Sequence, residues 1–212
     1  GNLGSTPTLT WNTAYDLDGQ SGRIYRGHKI CKIGANRVAI VCRSTNSSTC
    51  RWDQDKPGVI IGDITNSNEY TYRNFLQLSS TSLAQSSEFD LNIVYNSTDD
   101  LSLITMNSSS NSAVIAIKVA SGNSATITKS SSDVQLYHVA STWHSTVHHS
   151  GSNTFVYAFR ATASTNTITG KITVASSDLA ITKSGNTQTI TNATTNGICL
   201  AVGEKGGLYL FY

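Results

Sequence analysis

The sequence predicts an all-β protein, and three observations carry that reading. First, hydroxyl and amide side chains dominate: Ser, Thr and Asn number 74 of the 212 residues, whereas charged residues make up 13% and there are 2 prolines and 1 methionine. Thr, Val, Ile and Tyr suit a pleated, half-buried surface, while Glu, Lys and Ala, which fill exposed helix faces, are scarce. Second, short apolar runs alternate with polar residues at period two and are separated by Gly, Asn and Ser turns. Third, these runs recur at a fixed interval.

"RVAIVC" places Ile40 and Val41, "DLNIVY" Ile93 and Val94, "HSTVHH" Thr146 and Val147, and "GICLAV" Leu200 and Ala201, at steps of 53, 53 and 54 residues. A second run follows each: "GVIIGDITNSN" from Gly58, "AVIAIKVASGN" from Ala113, "TFVYAFRATASTN" from Thr154 and "GLYLF" from Gly207. Three of these lead through a polar turn into a short alternating strand, "EYTYRNF", "SATITKS" and "NTITGKI". The fourth has no such continuation, but residues 5–12, "STPTLTWN", have the same turn-then-strand form with nothing ahead of them to pair with. A strand also precedes each first run: "HKICKI", "FLQLSS", "VQLYHVA", and either "DLAITKS" or "TQTITNAT". The stretch 43–57 is a long excursion or a fifth strand, and "LSLITMN" at 101–107 has strand character of its own.

Four units of four strands predict a four-bladed β-propeller, closed by pairing one terminus into the blade that the other begins. The blades fall at about 24–74, 75–129, 133–173 and 178–212, with residues 8–12 as the closing strand beside "GGLYLFY", the third strand of the last blade. Closure covers a hydrophobic terminal strand whose N–H and C=O groups are otherwise an open edge. A two-sheet sandwich or jelly roll is the alternative that composition also allows.

"VASGNSATIT", "STPTLTWN" and "ITNSNEYTY" resemble the strand-turn-strand unit of degenerate propeller repeats in tailed-phage virion proteins and bacterial surface proteins. The double glycine of kelch repeats and the Ser-box phrase of sialidases are missing. The resemblance implies a virion or extracellular location. It also implies ligand binding on the face where the loops after the second and fourth strands emerge.

The formal charge is +2 and no run of five like charges occurs, so nucleic acid is not an expected partner. No apolar stretch approaches the roughly 20 residues that span a bilayer, so no membrane insertion is expected, and "GNLGSTPTLT" lacks the charged and apolar regions of a signal peptide. The spacing of Cys31, Cys42, Cys50 and Cys199 matches no zinc pattern. Cys31 and Cys42 flank the turn "GANR", which leaves open either a disulfide across a hairpin or free buried thiols.

Catalysis needs groups with tuned pKa values in reach of one another. The chain has no G-x-S-x-G elbow, no H-E-x-x-H and no phosphate-binding glycine loop, and a non-enzyme without a cofactor is expected. "YHVASTWHSTVHH" holds four of the five histidines, but on a strand His144 and His148 sit about 13 Å apart, too far for one metal. "YDLDGQSG" has the spaced acids of a calcium loop, with Asp16 and Asp18 as candidate ligands, or is an Asx turn. "CRWDQDKPG" concentrates an aromatic, a cation and two acids, which suits either a sugar site or a local plug over a blade edge. On the face that the resemblance implies, Arg51, Trp52, Asp53 and Asp55 are expected to lie with Tyr15, Asp99, Asp100, His148 and His149 as a ligand-binding set. The sequence thus predicts a binding or adhesion module for a cell-surface glycan. A decoration domain for other virion subunits and a glycosidase-like propeller are the alternatives, and homo-oligomers are compatible with each.

Overall fold

The structure, a computed structural model, describes residues 25–45, 51, 53–65, 69–81, 91–107, 111–137, 141–161, 166–191 and 197–211. Among them there is no helix, and every strand pairing is antiparallel. Strands β1 (Tyr25–Lys32), β2 (Arg37–Ser44), β3 (Pro57–Ile64) and β4 (Tyr70–Gln77) form a first meander in that spatial order. The second sheet runs β5 (Leu91–Asn96), β6 (Leu101–Asn107), β7 (Ser112–Val119) and β8 (Ile127–Lys129), with β9 (Val134–Tyr137) also paired to β7. The third runs β10 (Ser141–His149), β11 (Thr154–Ala161), β12 (Thr167–Val174) and β13 (Ile181–Thr191). A hairpin of β14 (Cys199–Val202) and β15 (Leu208–Phe211) follows. None of the sheets closes into a barrel.

Strands β2, β3, β6, β7 and β11, in the interior of their sheets, are apolar on both faces, and the packing explains why. On β2, Ala39 and Val41 point one way and Ile40 and Cys42 the other; on β7, Ala113, Ile115 and Ile117 oppose Val114 and Ala116. Unbroken apolar runs of this kind belong to strands covered on both sides. Ala39, Val41, Val59 and Ile61 of the first sheet meet Ile104, Met106, Ile115 and Ile117 of the second. The reverse face of the second sheet, with Leu101, Leu103 and Val114, meets Phe155, Tyr157 and Phe159 of the third. The reverse face of the third, with Val156 and Ala158, meets Leu200 and Leu210 of the hairpin. Between sheets, the first strands come together in succession, β1 beside β5, β5 beside β10 and β10 beside β14.

Several strand assignments differ from the sequence spacing. Ile40 and Val41 lie on a second strand, β2, whereas the runs aligned with them, in β5, β10 and β14, are first strands of their sheets. The true counterpart of those is β1. Both β1 and β10 carry a one-residue bulge, between Arg26 and Lys29 and between Thr142 and Ser145, so His28 and His144 occupy matching positions. "FLQ" continues β4 and does not open the second unit, and "LSLITMN" is β6, a full interior strand. "VQLY" is an edge partner of β7, and the segments proposed to open the fourth unit form β13, the outer strand of the third sheet. β15 pairs with β14 as its direct hairpin partner, in place of a third-strand position. The predicted closing strand, residues 8–12, lies outside the described residues.

The hairpin disulfide is excluded by register. Cys31 stands opposite Ala39, so its side chain shares the face of Ala39 and Val41, while Cys42 points to the other face. Cys31, Cys42 and Cys199 form no disulfide, and Cys50 lies outside the described residues.

Two glycines serve the packing. A Cβ on Gly62 would collide with the Tyr70 ring, and one on Gly170 with the ring and hydroxyl of Tyr157. Tyr157 is 2% exposed and lies parallel to Phe159 at 5.9 Å between centroids, so it has no room to retreat. Gly170→Ala is expected to destabilise the chain by about 1–3 kcal/mol through overpacking, read from the denaturation midpoint. An unchanged midpoint contradicts the close approach.

Candidate functional site

An antiparallel meander puts successive connections at alternate ends of its sheet, and this divides the predicted site residues. The β2–β3 connection, with Arg51, Asp53 and Asp55, leaves the first sheet at one end. The β1–β2 turn leaves at the other, and there it shares a cleft with the β5–β6 turn that carries Asp99 and Asp100. His148 and His149, beside the β10–β11 turn, belong to this second end. The predicted single-face set is therefore corrected to two groups. The misassignment of β2 as equivalent to β5 and β10 caused the error, because it put turns of different rank on one face. Tyr15, Asp16, Asp18 and Trp52 lie outside the described residues.

At the β2–β3 end the predicted side chains tie the loop to its own sheet. The Arg51 guanidinium lies 5.3 Å from the ring centroids of both Tyr72 and Phe75, a cation–π arrangement. Its backbone N–H donates to the Tyr25 hydroxyl at 3.3 Å. Asp53 exchanges bonds with Gln77: its N–H donates to Gln77 Oε1 at 3.1 Å, and Gln77 Nε2 donates to Asp53 Oδ2 at 3.5 Å. Asp55 takes a left-handed φ of 59° and sits 3.9 Å from Arg43 Nε. These contacts occupy Arg51, Asp53 and Asp55 within the first sheet, while Trp52, on which the sugar-site and plug readings turn, lies outside the described residues.

At the opposite end, neighbouring sheets are joined turn to turn. Asn96, 2% exposed, accepts from the N–H groups of Thr98 and Asp99 through Oδ1 at 2.9 and 3.4 Å, an Asx turn that sets up the β5–β6 corner. Asn153 Nδ2 donates to Asp99 Oδ2 at 2.8 Å, and that fixes the orientation of the amide. Asn153 Oδ1 therefore faces Asn96 Nδ2 at 2.9 Å and His148 Nε2 at 3.1 Å, both as donors. His149 Nε2 faces the Gly206 carbonyl at 2.8 Å, which only accepts, so this nitrogen carries the proton. Nδ1 is then the acceptor for the Ser152 N–H at 3.2 Å and for the Ser152 hydroxyl at 2.8 Å. Asp99, His148 and His149 thus bind the β5–β6, β10–β11 and β14–β15 turns to one another.

Of the predicted residues that are described, Asp100 lines an open volume. A cleft of about 650 Å³ separates the turn ends of the first two sheets, with Asn36, Arg37, Asp63 and Arg73 on one wall and Tyr95 and Asp100 on the other. Arg37 and Asp63 are cross-strand neighbours on β2 and β3. Arg37 donates to both Asp63 oxygens, Nε at 2.8 Å and Nη2 at 3.4 Å, and also to the carbonyls of Ala120 and Gly122 at 2.7 and 2.8 Å. Arg73 Nε meets Asp63 Oδ2 at 2.7 Å. The Arg37 guanidinium above all, with Arg73, holds the Asp63 carboxyl below its ordinary pKa against the opposing effect of burial. Across the cleft the Tyr95 hydroxyl donates to Asp100 Oδ1 at 2.8 Å. Burial first, and then the Asp100 carboxylate, push the Tyr95 pKa up to about 12, so the phenol keeps its proton.

Sequence reasoning missed Asn36, Arg37, Asp63, Arg73 and Tyr95. One signal was readable: Arg37 and Asp63 are opposite charges at the ends of two consecutive apolar runs, the placement of a cross-strand ion pair. Among the described residues no group of three or more His, Cys, Asp or Glu could hold a metal ion, and the calcium candidates Asp16 and Asp18 are not among those residues. No helix of the described residues is long and apolar enough to cross a membrane.

His144 sits apart from both ends, stacked on Phe159 at 5.5 Å between centroids, and burial pushes its pKa from 6.5 down to about 4. A base whose folded pKa lies below its unfolded value favours the fold while neutral. Its contribution is therefore complete above about pH 6.5 and declines as pH falls toward 4. His144→Phe is expected to flatten the acid limb of the stability profile over that window, by up to about 3 kcal/mol at its lower end. A variant whose stability declines as steeply as the parent's rules this out. No family model matches the chain and no curated protein matches it, so function is argued from side chains and geometry.

Proposed function

We propose that the chain is a four-bladed β-propeller acting as a non-catalytic binding module that takes a glycan in the cleft between its first two blades. Three features of the fold support the ring. A two-sheet sandwich has one apolar interface, whereas here three follow one another in chain order. First strands approach first strands at every step, as they do when sheets radiate from an axis. The outer faces at the two ends of the series are apolar as well. On the first sheet this face carries Ile30, 64% exposed, with Tyr70, Tyr72 and Phe75; on the hairpin it carries Tyr209 and Phe211, 55% and 59% exposed. Their meeting, with residues 8–12 added to the hairpin edge, completes the circle.

The observation that carries the binding reading is the cleft itself. Its volume lies within the usual range for ligand sites, and it presents a guanidinium, a carboxylate, an amide and an aromatic side chain from two different sheets. Polar groups set around an aromatic surface suit a hydroxyl-rich ligand, and the resemblance to virion propeller repeats makes a host-surface glycan the natural candidate. The non-catalytic reading is supported by the employment of the carboxylates. Every described aspartate accepts a hydrogen bond or ion pair from the framework, from Asp53 and Gln77 through to Asp178 and the Ala180 N–H.

Deleting residues 1–12 is expected to remove the closing strand and lower the unfolding free energy by several kcal/mol, about the scale of a few large apolar side chains returned to water. A truncated chain as stable as the parent counts against the ring. On a glycan array, binding is expected to survive Trp52→Ala and to disappear with Ser97→Trp, which fills the cleft. The reverse pattern moves the site to the β2–β3 end, and an array that stays blank while other virion subunits bind favours a decoration domain.

A further inference from the structure

We infer that the cleft is selective for acidic saccharides, with Arg73 receiving the ligand's carboxylate and Asp100 accepting from its hydroxyl groups. This rests on the binding-module reading and names the ligand class of the same site. The two arginines of the first wall are not equivalent. Arg37 spends its donors on Asp63 and on the carbonyls of Ala120 and Gly122, which lock the first sheet to the β7–β8 turn of the second. Arg73 contributes only Nε to Asp63, and its two terminal amino groups have no partner among the described residues. Two guanidinium groups share one carboxylate, so this wall carries an uncompensated positive charge beside a pair of coplanar donors. That is the arrangement that receives a carboxylate through two parallel hydrogen bonds.

The facing wall asks for the opposite kind of group. Asp100 Oδ1 is occupied by the Tyr95 hydroxyl, and Oδ2 has no donor among the described residues. Asp100 holds this direction because the turn residue takes a left-handed φ of 52°, inside a corner that the Asn96 Asx turn and the Asp99–Asn153 bond make stiff. An ionised carboxylate has no proton to give, so it selects donors such as ring hydroxyls and rejects a second anionic group. A ligand that meets both walls carries one carboxylate and several hydroxyls. An open cleft of about 650 Å³ has room for more than one sugar ring, which a glycan joining one uronic acid to neutral sugars supplies.

The test uses the full chain and a matched pair of probes: a trisaccharide with a single glucuronic acid between neutral sugars, and the same trisaccharide with that carboxyl group reduced to an alcohol. Titration calorimetry is expected to give at least about tenfold tighter binding of the acidic probe, weakening with added salt. Arg73→Gln is expected to erase the difference, and Arg73→Lys to restore part of it. Because Arg73 also bridges Asp63, the comparison of the two probes on the unaltered chain carries the test should the variants fold poorly. Equal affinity for both probes, or array binding confined to neutral glycans, overturns the acidic preference and leaves the binding module standing. Failure of both probes, with no glycan bound on the array, overturns the preference and the binding reading together.

Discussion

The constraint on which the structure depends is that its sheets are apolar on both faces. A sheet with one polar face can stop against water, but the second and third sheets cannot. Ile104 and Ile115 need a cover on one side, and Leu103 and Val114 need one on the other. Each sheet therefore requires two neighbours, and each neighbour brings a reverse face with the same demand. Full burial of a single Leu, Ile or Phe side chain is worth about 1.5–3 kcal/mol, so a series left uncovered at its ends forfeits a sizeable part of a domain's net stability. Both ends here are apolar, with Ile30 and the aromatic side chains of β4 at one and Tyr209 and Phe211 at the other.

Apolar packing sets the distance between sheets but leaves them free to slide, and the turns supply what it lacks. Directed hydrogen bonds fix position where dispersion contacts do not. The Asn96, Asp99 and Asn153 amide–carboxylate group joins the second sheet to the third, His149 joins the third to the hairpin, and Arg37 joins the first to the second. The third of these joints differs from the others. It is an ion-pair network lying to one side of the contact between two turns, and beside it the walls stay apart. The cleft is thus a by-product of how the first two sheets are pinned, and the side chains that pin them also line it.

Much of the fold was legible because period-two alternation records which residues share a face. Phe155, Tyr157 and Phe159 against Val156 and Ala158 could be read directly as one strand with two buried sides. Strand rank was less legible. The excursion at 43–57 lengthens the first unit, so a step of 53 residues from Ile93 falls back on β2 instead of β1, and the strongly basic β1 looks less like a sheet strand than it is. The site was legible only in part. The cleft gathers residues from the β1–β2, β3–β4, β5–β6 and β7–β8 connections, and no local window contains them. Asp100 was visible as an acid in a turn, but its partnership with Tyr95, five residues away, needed the hairpin register.

Charge placement supplies the last step. The chain is poor in ions, and most that are described are paired inside the framework: Asp63 with two arginines, Asp55 with Arg43, Asp99 with Asn96 and Asn153. In such a chain a charge with donors or acceptors to spare has a cost in desolvation and no structural return. Arg73 and Asp100 both fit that description, on opposite walls of one cleft. If the network existed only to fix the sheets, Arg37 with Asp63 would suffice, since that pair alone spans from β2 and β3 to the β7–β8 turn. The second arginine adds little to the joint and much to the surface beside it, which is why recognition is proposed at the cleft and not at a loop richer in aromatic or acidic residues.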